Sequence, residues 1–395
     1  VRKWIVLIAG ILIQIALGGI YAWSAFVPYL MNAFGFTRAQ CATIFGIMIA
    51  VFSLSTIPAG KFILRLGPRL TAGIGILLFS LGYLVASFSR GNYYGIVGGI
   101  GIITGIGIGF GYICPLTVGM KWFPHRRGLV TGVMVAGFGI GAAVLSWFIE
   151  RLADFYPILT VFRMVGIVFG GVAIVGAMLL SEPDMDRIRE NPHFMDNPLR
   201  TIILSPPFRL LWFSMFAGTF AGLLISGNLK PLMTSLGLSA SQTELVIPLF
   251  ALGNTLGRLM WGHVHDHFGS RRTIILSLAT LLLSMIPLLV IIQSVMVLTA
   301  VSFIGFGFGS CFVVYAASVV DLFKVQNLPR LYPIVFGAYG AAALIGPAVG
   351  GKIADSTGSY TGALLLSKLI VLTVLIIVWL KFPVSSRHIQ RADLS

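Results

Sequence analysis

Stretches of about twenty apolar residues, the length one membrane crossing needs, recur along the whole of this chain. Twelve can be drawn, at roughly 4–29, 41–64, 69–89, 94–119, 126–149, 159–181, 208–229, 242–264, 272–292, 295–320, 330–353 and 359–381. Inside a bilayer every backbone N–H and C=O must be satisfied within the protein, so a span is either a helix or part of a closed barrel. Segments of this length select helices. Composition agrees: 57% of the 395 residues are hydrophobic and 10% are charged, against about 25% charged in soluble domains. The expected fold is an all-α membrane protein of twelve transmembrane helices.

The long polar break is 182–207, which holds five of the twelve acidic residues. It divides the chain into 1–181, a linker at 182–207, and 208–395. The two halves repeat. Gly60, Gly67 and Arg69 after the second segment reappear as Gly262, Gly269 and Arg271 after the eighth. The run GIGIGFG at 105–111 reappears as GFGFG at 305–309, and Gly137 pairs with Gly337. Two pseudo-symmetric six-helix halves are the mark of a secondary transporter, with its site expected at the midplane.

With both termini placed in the cytoplasm, nineteen of the 27 Lys and Arg residues fall inside and seven outside. That bias predicts a multi-pass protein of the cell (inner) membrane with cytoplasmic termini. It also accounts for the net charge of +15 without nucleic acid, since no basic stripe with interleaved aromatics is present. The N-terminus begins like a signal peptide, but its apolar stretch is too long and no small-residue cleavage site follows. It is read as the first membrane helix. The three cysteines, Cys41, Cys114 and Cys311, give no disulfide framework. A monomer in the bilayer is expected.

The glycine runs do not fit G-x-G-x-x-G and do not follow a strand, so they are not read as a dinucleotide loop. Spacings such as Gly253/Gly257 and Gly305/Gly309 suit close approach of helix backbones. The stretch HVHDHFGSRR (263–272) places His263 and His267 four residues apart, a spacing that serves zinc when helical. The plainer reading is a short charged cytoplasmic turn. No cofactor and no metal site is expected.

Arg258 stands inside the eighth segment, about 21 Å along the helix from Glu244 at 1.5 Å per residue. A guanidinium at such depth costs roughly 2.5–3.5 kcal/mol even on a lenient scale, and arginine cannot shed its charge. Intramembrane cations of this kind usually face an aqueous path or an anion. The segment centres contain no Asp or Glu, so a transported anion is the natural partner. The competing reading is that Arg258 bonds backbone carbonyls or snorkels to the cytoplasm. Asn254 is one turn away and can orient Arg258 or add a donor. The remaining candidates for a substrate site are aromatic: Tyr21, Tyr112, Phe138, Tyr315, Phe336 and Tyr339. Each alone is more readily read as packing than as ligand, with Tyr112 and Tyr339 set above the rest because a tyrosine hydroxyl deep in a bundle needs a partner.

The turns after segments two and eight resemble the signature loop of the major facilitator superfamily, G-x-x-x-D-R-x-G-R-R. The second copy keeps Asp266, with His267 in the Arg place; the first has Leu64 where the Asp belongs. More narrowly, KWFPHRRGLVTGVMVAGFGIG (121–141), GGIYAWSAF (18–26) and NTLGRLMWG (254–262) resemble the oxalate/formate antiporter and monocarboxylate transporter branches. That resemblance implies a substrate-binding arginine at Arg258 and a site-lining tyrosine at Tyr112. It also implies a second cation in helix 11 for oxalate carriers, and that position is Tyr339 here. Animal monocarboxylate transporters have an aspartate at the Asn254 position and a helix 1 lysine that has no match here.

The expectation is therefore a transporter of small monocarboxylates of the lactate or pyruvate kind, with protons as an open second partner. An oxalate/formate-type anion exchanger is the alternative, and a non-transporting membrane sensor is the more distant one. No nucleophile, acid/base pair or metal cluster at depth argues for an enzyme.

Overall fold

The computed structural model describes residues 2–183, 198–290 and 293–383; most of the expected linker at 182–207 and the C-terminal end lie outside these. Ten helices among the described residues are long and apolar enough to cross a membrane. Two of the ten are double. The helix Arg38–Ser87 has 50 residues, about 75 Å at 1.5 Å per residue, more than twice the ~30 Å hydrocarbon core. It is interrupted at Gly67 (φ 79°, ψ 166°), and Ala240–Ser284 is interrupted at Gly269 (φ 71°, ψ 176°). Both are conformations essentially restricted to glycine. Each long helix is thus two spans joined through one residue.

The twelve spans are α1 (Arg2–Phe34), α2 (38–66), α3 (68–87), α4 (Tyr93–Trp122), α5 (Arg127–Ala153), α6 (Ile158–Leu179), α7 (Pro206–Gly227), α8 (240–268), α9 (270–284, with Pro287–Val290 continuing it), α10 (Ser294–Phe323), α11 (Leu328–Thr357) and α12 (Thr361–Lys381). No strand occurs among the described residues. The twelve-helix expectation and the all-α class hold. The stretch 263–268 is not a turn, as its charge suggested. It continues α8 to its last residue, because the whole change of direction is taken up by Gly269.

The repeat is visible in local chemistry. Thr37 caps α2 by accepting from the Gln40 N–H at 3.1 Å, while the Gln40 side chain accepts from the Thr37 N–H at 2.8 Å. Ser239 and Gln242 form the same capping box at the start of α8.

Two spans are broken at or beside candidate site residues. α1 tightens to a 3₁₀ turn at Gly19–Ala22, which carries Tyr21. α10 is broken at 311–313, where the amides of Cys311, Phe312 and Val313 each bond three residues back rather than four.

The chain divides into two compact units, Val1–Pro124 with Val133–Pro183, and His125–Gly132 with Asp184–Ser395. In the second unit α8 and α10 pack through facing glycines. A Cβ at Gly253 would lie 1.9 Å from the Ser302 carbonyl oxygen, and one at Gly257 would lie 2.2 Å from that of Phe306. From the other side, a Cβ at Gly305 would meet the Phe250 carbonyl at 2.2 Å. The small-residue spacing therefore brings two backbones together, as helix association in lipid requires.

Candidate functional site

In the second unit the candidate site residues gather on the α8–α10 contact. Arg258 is 1% exposed and is among the largest fully buried side chains of the described residues. Its Nε donates to Asn254 Oδ1 at 3.3 Å, one turn earlier on α8. Its guanidinium carbon lies 4.7 Å from the centroid of the Phe312 ring. Gly309 permits this approach: a Cβ there would stand 2.4 Å from the Asn254 carbonyl oxygen and 3.0 Å from the Arg258 nitrogen. With α10 pressed onto that turn, Phe312, three residues on, reaches the guanidinium. A cation over an aromatic face gains about 0.5–2 kcal/mol, most when desolvated. The ring holds the plane of the guanidinium, whose edge is the part that binds a carboxylate in bidentate fashion.

Phe336 and Tyr339 of α11 close the group. Tyr339 meets Phe312 edge-on at 5.2 Å and Phe336 at 5.1 Å, and Phe336 lies 6.4 Å from Phe312. Both are fully buried. Arg258, Asn254, Phe336 and Tyr339 are thus gathered around Phe312. Tyr315 is also fully buried, with Cys311 and Ser214 of α7 near its hydroxyl.

In the first unit three expected residues come together. Phe138 of α5 meets Tyr21 at 5.7 Å and Tyr112 of α4 at 5.5 Å, both edge-on. Phe52 of α2 completes the group, 5.3 Å from Tyr112 and stacked on Phe138 at 6.1 Å. Gly18 is the local reason. A Cβ at Gly18 would lie 2.1 Å from the Phe138 carbonyl oxygen, so glycine lets α1 meet α5 just before Tyr21. Gln14 of α1, fully buried, donates from Nε2 to the Tyr112 carbonyl at 3.1 Å.

Phe312 and Phe52 were not among the expected residues, yet the repeat pointed to both. The glycine runs that pair Gly105 with Gly305 pair Tyr112 with Phe312. The pairing of Gly60 with Gly262 sets Phe52 opposite Asn254. Following each expected residue to its partner in the other half would have found them.

The far end of α8 carries a separate group of polar contacts. Asp266 accepts from the backbone N–H groups of Gly128 and Leu129, both at 2.8 Å, at the first turn of α5. A carboxylate suits a helix N-terminus, where N–H groups lack intrahelical partners. The rings of His263 and His267 lie 4.3 Å apart, tilted by 53°, and His267 Nδ1 lies 3.0 Å from the His263 carbonyl oxygen. Among the described residues no third Cys, His, Asp or Glu joins them in a metal-holding group. His265 instead turns inward and is buried.

A twelve-helix chain of two repeated units with a buried cation in its eighth helix defines a secondary transporter. The chain belongs to the Major Facilitator Superfamily, whose family profile matches residues 6–228 and again 211–393. It is similar to the uncharacterised MFS-type transporter YhjX of Escherichia coli (strain K12), with 26% identity over 87% of this chain and 86% of that protein. It is similar also to the oxalate:formate antiporter of Oxalobacter formigenes (23% identity, 92% of this chain, 88% of that one). Apicoplast pyruvate carrier 1 of Toxoplasma gondii is 23% identical over 87% of this chain and 82% of its own. Among solved structures the proton:xylose symporter XylE superposes with a TM-score of 0.76 over 96% of both chains at 13% identity, a likeness of fold alone. The protein is a multi-pass membrane transporter and not an enzyme.

Proposed function

We propose that this protein is a secondary transporter of small monocarboxylates, of lactate or pyruvate size, coupled to protons and working by alternating access. The observation that carries the reading is Arg258, a permanent cation 1% exposed within a membrane span, held by Asn254 and backed by Phe312. Its guanidinium would take the carboxylate in a bidentate pair. Asn254 would orient it. Tyr112 and Tyr339 would supply hydroxyls, and Tyr21, Phe138 and Phe336 an apolar wall for a short acyl chain. Anion binding would neutralise the guanidinium and lower the cost of closing a dry cavity around it. The cell membrane with both termini in the cytoplasm is the setting that the charge bias supports.

Relatives named as monocarboxylate transporters and as a pyruvate carrier favour this substrate class. Tyr339, in the place of a second cation, favours a monoanion. The second reading, an anion exchanger, is favoured by the oxalate:formate antiporter among the relatives. Two measurements test the proposal. A thermal-shift screen of small carboxylates should stabilise wild type and leave Arg258→Ala unmoved. In proteoliposomes, lactate uptake driven by a pH gradient with no substrate inside separates symport from exchange. Wild-type uptake by a folded Arg258→Ala would overturn the site.

A further inference from the structure

Gln14 is a polar residue deep in α1. It lies about 16 Å along the helix from Lys3, near the centre of the ~30 Å hydrocarbon core. That is the depth at which secondary transporters hold their substrates. Gln14 is fully buried, and its Nε2 donates to the Tyr112 carbonyl of α4 at 3.1 Å. A carbonyl only accepts, so this bond fixes which end of the amide faces α4. The other end, Oε1, is buried as well, and among the described residues no group donates to it. We propose that Gln14 Oε1 accepts a hydrogen bond from the hydroxyl of a 2-hydroxy monocarboxylate, so that the protein selects 2-hydroxy acids over 2-oxo and unsubstituted acids of the same size. This rests on the monocarboxylate reading above and narrows its substrate class.

Gln14 belongs to the aromatic group of the first unit. Its bond ends on the backbone of Tyr112, whose ring meets Phe52 and Phe138. On the other side α5 closes against it through glycine. A Cβ at Gly137, the residue before Phe138, would stand 3.4 Å from the Gln14 Cβ. The rings give this group an apolar wall, and Gln14 adds a polar atom in a fixed place.

The repeat shows why that atom differs from its surroundings. The glycine runs that pair Gly105 with Gly305 set Pro115 of α4 opposite Tyr315 of α10. In the second unit the Tyr315 hydroxyl lies near Ser214 of α7, the first helix of that half. In the first unit Pro115 lies against α1, its Cβ 3.2 Å from where a Cβ at Gly10 would stand. Proline brings neither a hydroxyl nor an N–H. One half thus has a donor of its own beside its first helix, and the other has a proline there.

A buried acceptor left without a donor is costly, and at this depth lipid offers none. The donor comes with whatever enters the aqueous path. Among small monocarboxylates, a 2-hydroxy acid brings an O–H one carbon from the carboxylate. A 2-oxo acid brings a second acceptor there, so that lone pairs would face lone pairs. An unsubstituted acid brings neither. A site built to bond a substrate hydroxyl rejects the analogue without one, because its own polar group is then left unpaired.

Isothermal titration of the purified protein with lactate, pyruvate and propionate tests the proposal. Wild type should bind lactate about ten- to a hundredfold more tightly than either of the others. Gln14→Met keeps the length of the side chain but has no amide. It should bind propionate as wild type does, which reports an intact site, and lose the preference for lactate. Gln14→Leu, with a shorter side chain, carries the same expectation. A wild type that binds the three acids alike would overturn the proposal, as would a lactate preference that survives in either variant. Loss of propionate binding in both variants would make Gln14 a structural link between α1 and α4 and would overturn it too. A wild type that binds none of the three would sink the monocarboxylate reading and this assignment with it.

Discussion

The guanidinium carbon of Arg258 lies 4.7 Å from the centre of the Phe312 ring. That contact joins the one deeply buried arginine described to the break in α10. It puts an aromatic face, rather than a flexible side chain, behind the group that would bind the substrate.

Replacing Phe312 by leucine keeps an apolar side chain but removes the ring. The contribution at stake is about 0.5–2 kcal/mol, so carboxylate affinity should fall by a few-fold to roughly thirtyfold. Arg258→Lys should do more harm than Phe312→Leu, because an ammonium cannot bind a carboxylate as a planar fork. Isothermal titration of purified protein with the carboxylate selected in the thermal-shift screen would rank the two. Equal affinity in Phe312→Leu and wild type would show that the ring is packing only.

Asn254→Asp would set a carboxylate where Asn254 Oδ1 now accepts from Arg258 at 3.3 Å. Ionised, it would occupy the guanidinium and compete with the substrate. The sign follows: binding should be strongest at low pH, where the new carboxyl is protonated, and weaken as pH rises through its titration. Affinity measured across pH in wild type and variant checks this. A variant with the wild-type pH profile would mean that Asn254 does not face the anion-binding edge.

Tyr339→Lys would place a second cation beside Phe312, which Tyr339 meets at 5.2 Å. The expected outcome is a change of preference, with oxalate stabilising the variant more than lactate does. Thermal shifts with the two anions, on wild type and variant, read this directly. An unchanged order of ligands would separate Tyr339 from substrate selection.

Asp266 holds two N–H groups at the first turn of α5, each at 2.8 Å. Asp266→Ala should lower stability by about 0.5–2 kcal/mol, the range measured for lost helix caps. Asp266→Asn should cost less, since one acceptor oxygen remains. Denaturation of the detergent-solubilised protein followed by Trp fluorescence would compare them. A stability equal to wild type in Asp266→Ala would show that water satisfies those amides equally well.

Much of this was legible in the chain. The number of spans follows from the length of the apolar runs, because a bilayer admits few alternatives to a helix of that length. Arg258 is legible for the same reason: a cation has no ordinary place at that depth. The doubled glycines Gly67 and Gly269 were visible as a repeat. Their role as one-residue connections was not, since positive φ is a property of the folded backbone.

What the sequence could not supply is the rotation of each helix about its axis. In a soluble helix the polar face marks the outside, but in lipid both faces are apolar. On α8, Leu252, Leu256 and Met260 are 56%, 44% and 54% exposed, while Phe250 is buried, yet all four are large apolar residues. Hydrophobic pattern therefore could not tell that Phe312 lies beneath Arg258, that Tyr315 has Cys311 and Ser214 near its hydroxyl, or that His265 alone of the three histidines near Gly269 points inward to Asp321. The sequence by itself determined the helices, their repeat and the presence of a buried cation. Only the tertiary structure decided which side chains meet it, because those meetings depend on close backbone contacts, at Gly309 and Gly257 above all, between helices far apart in the chain.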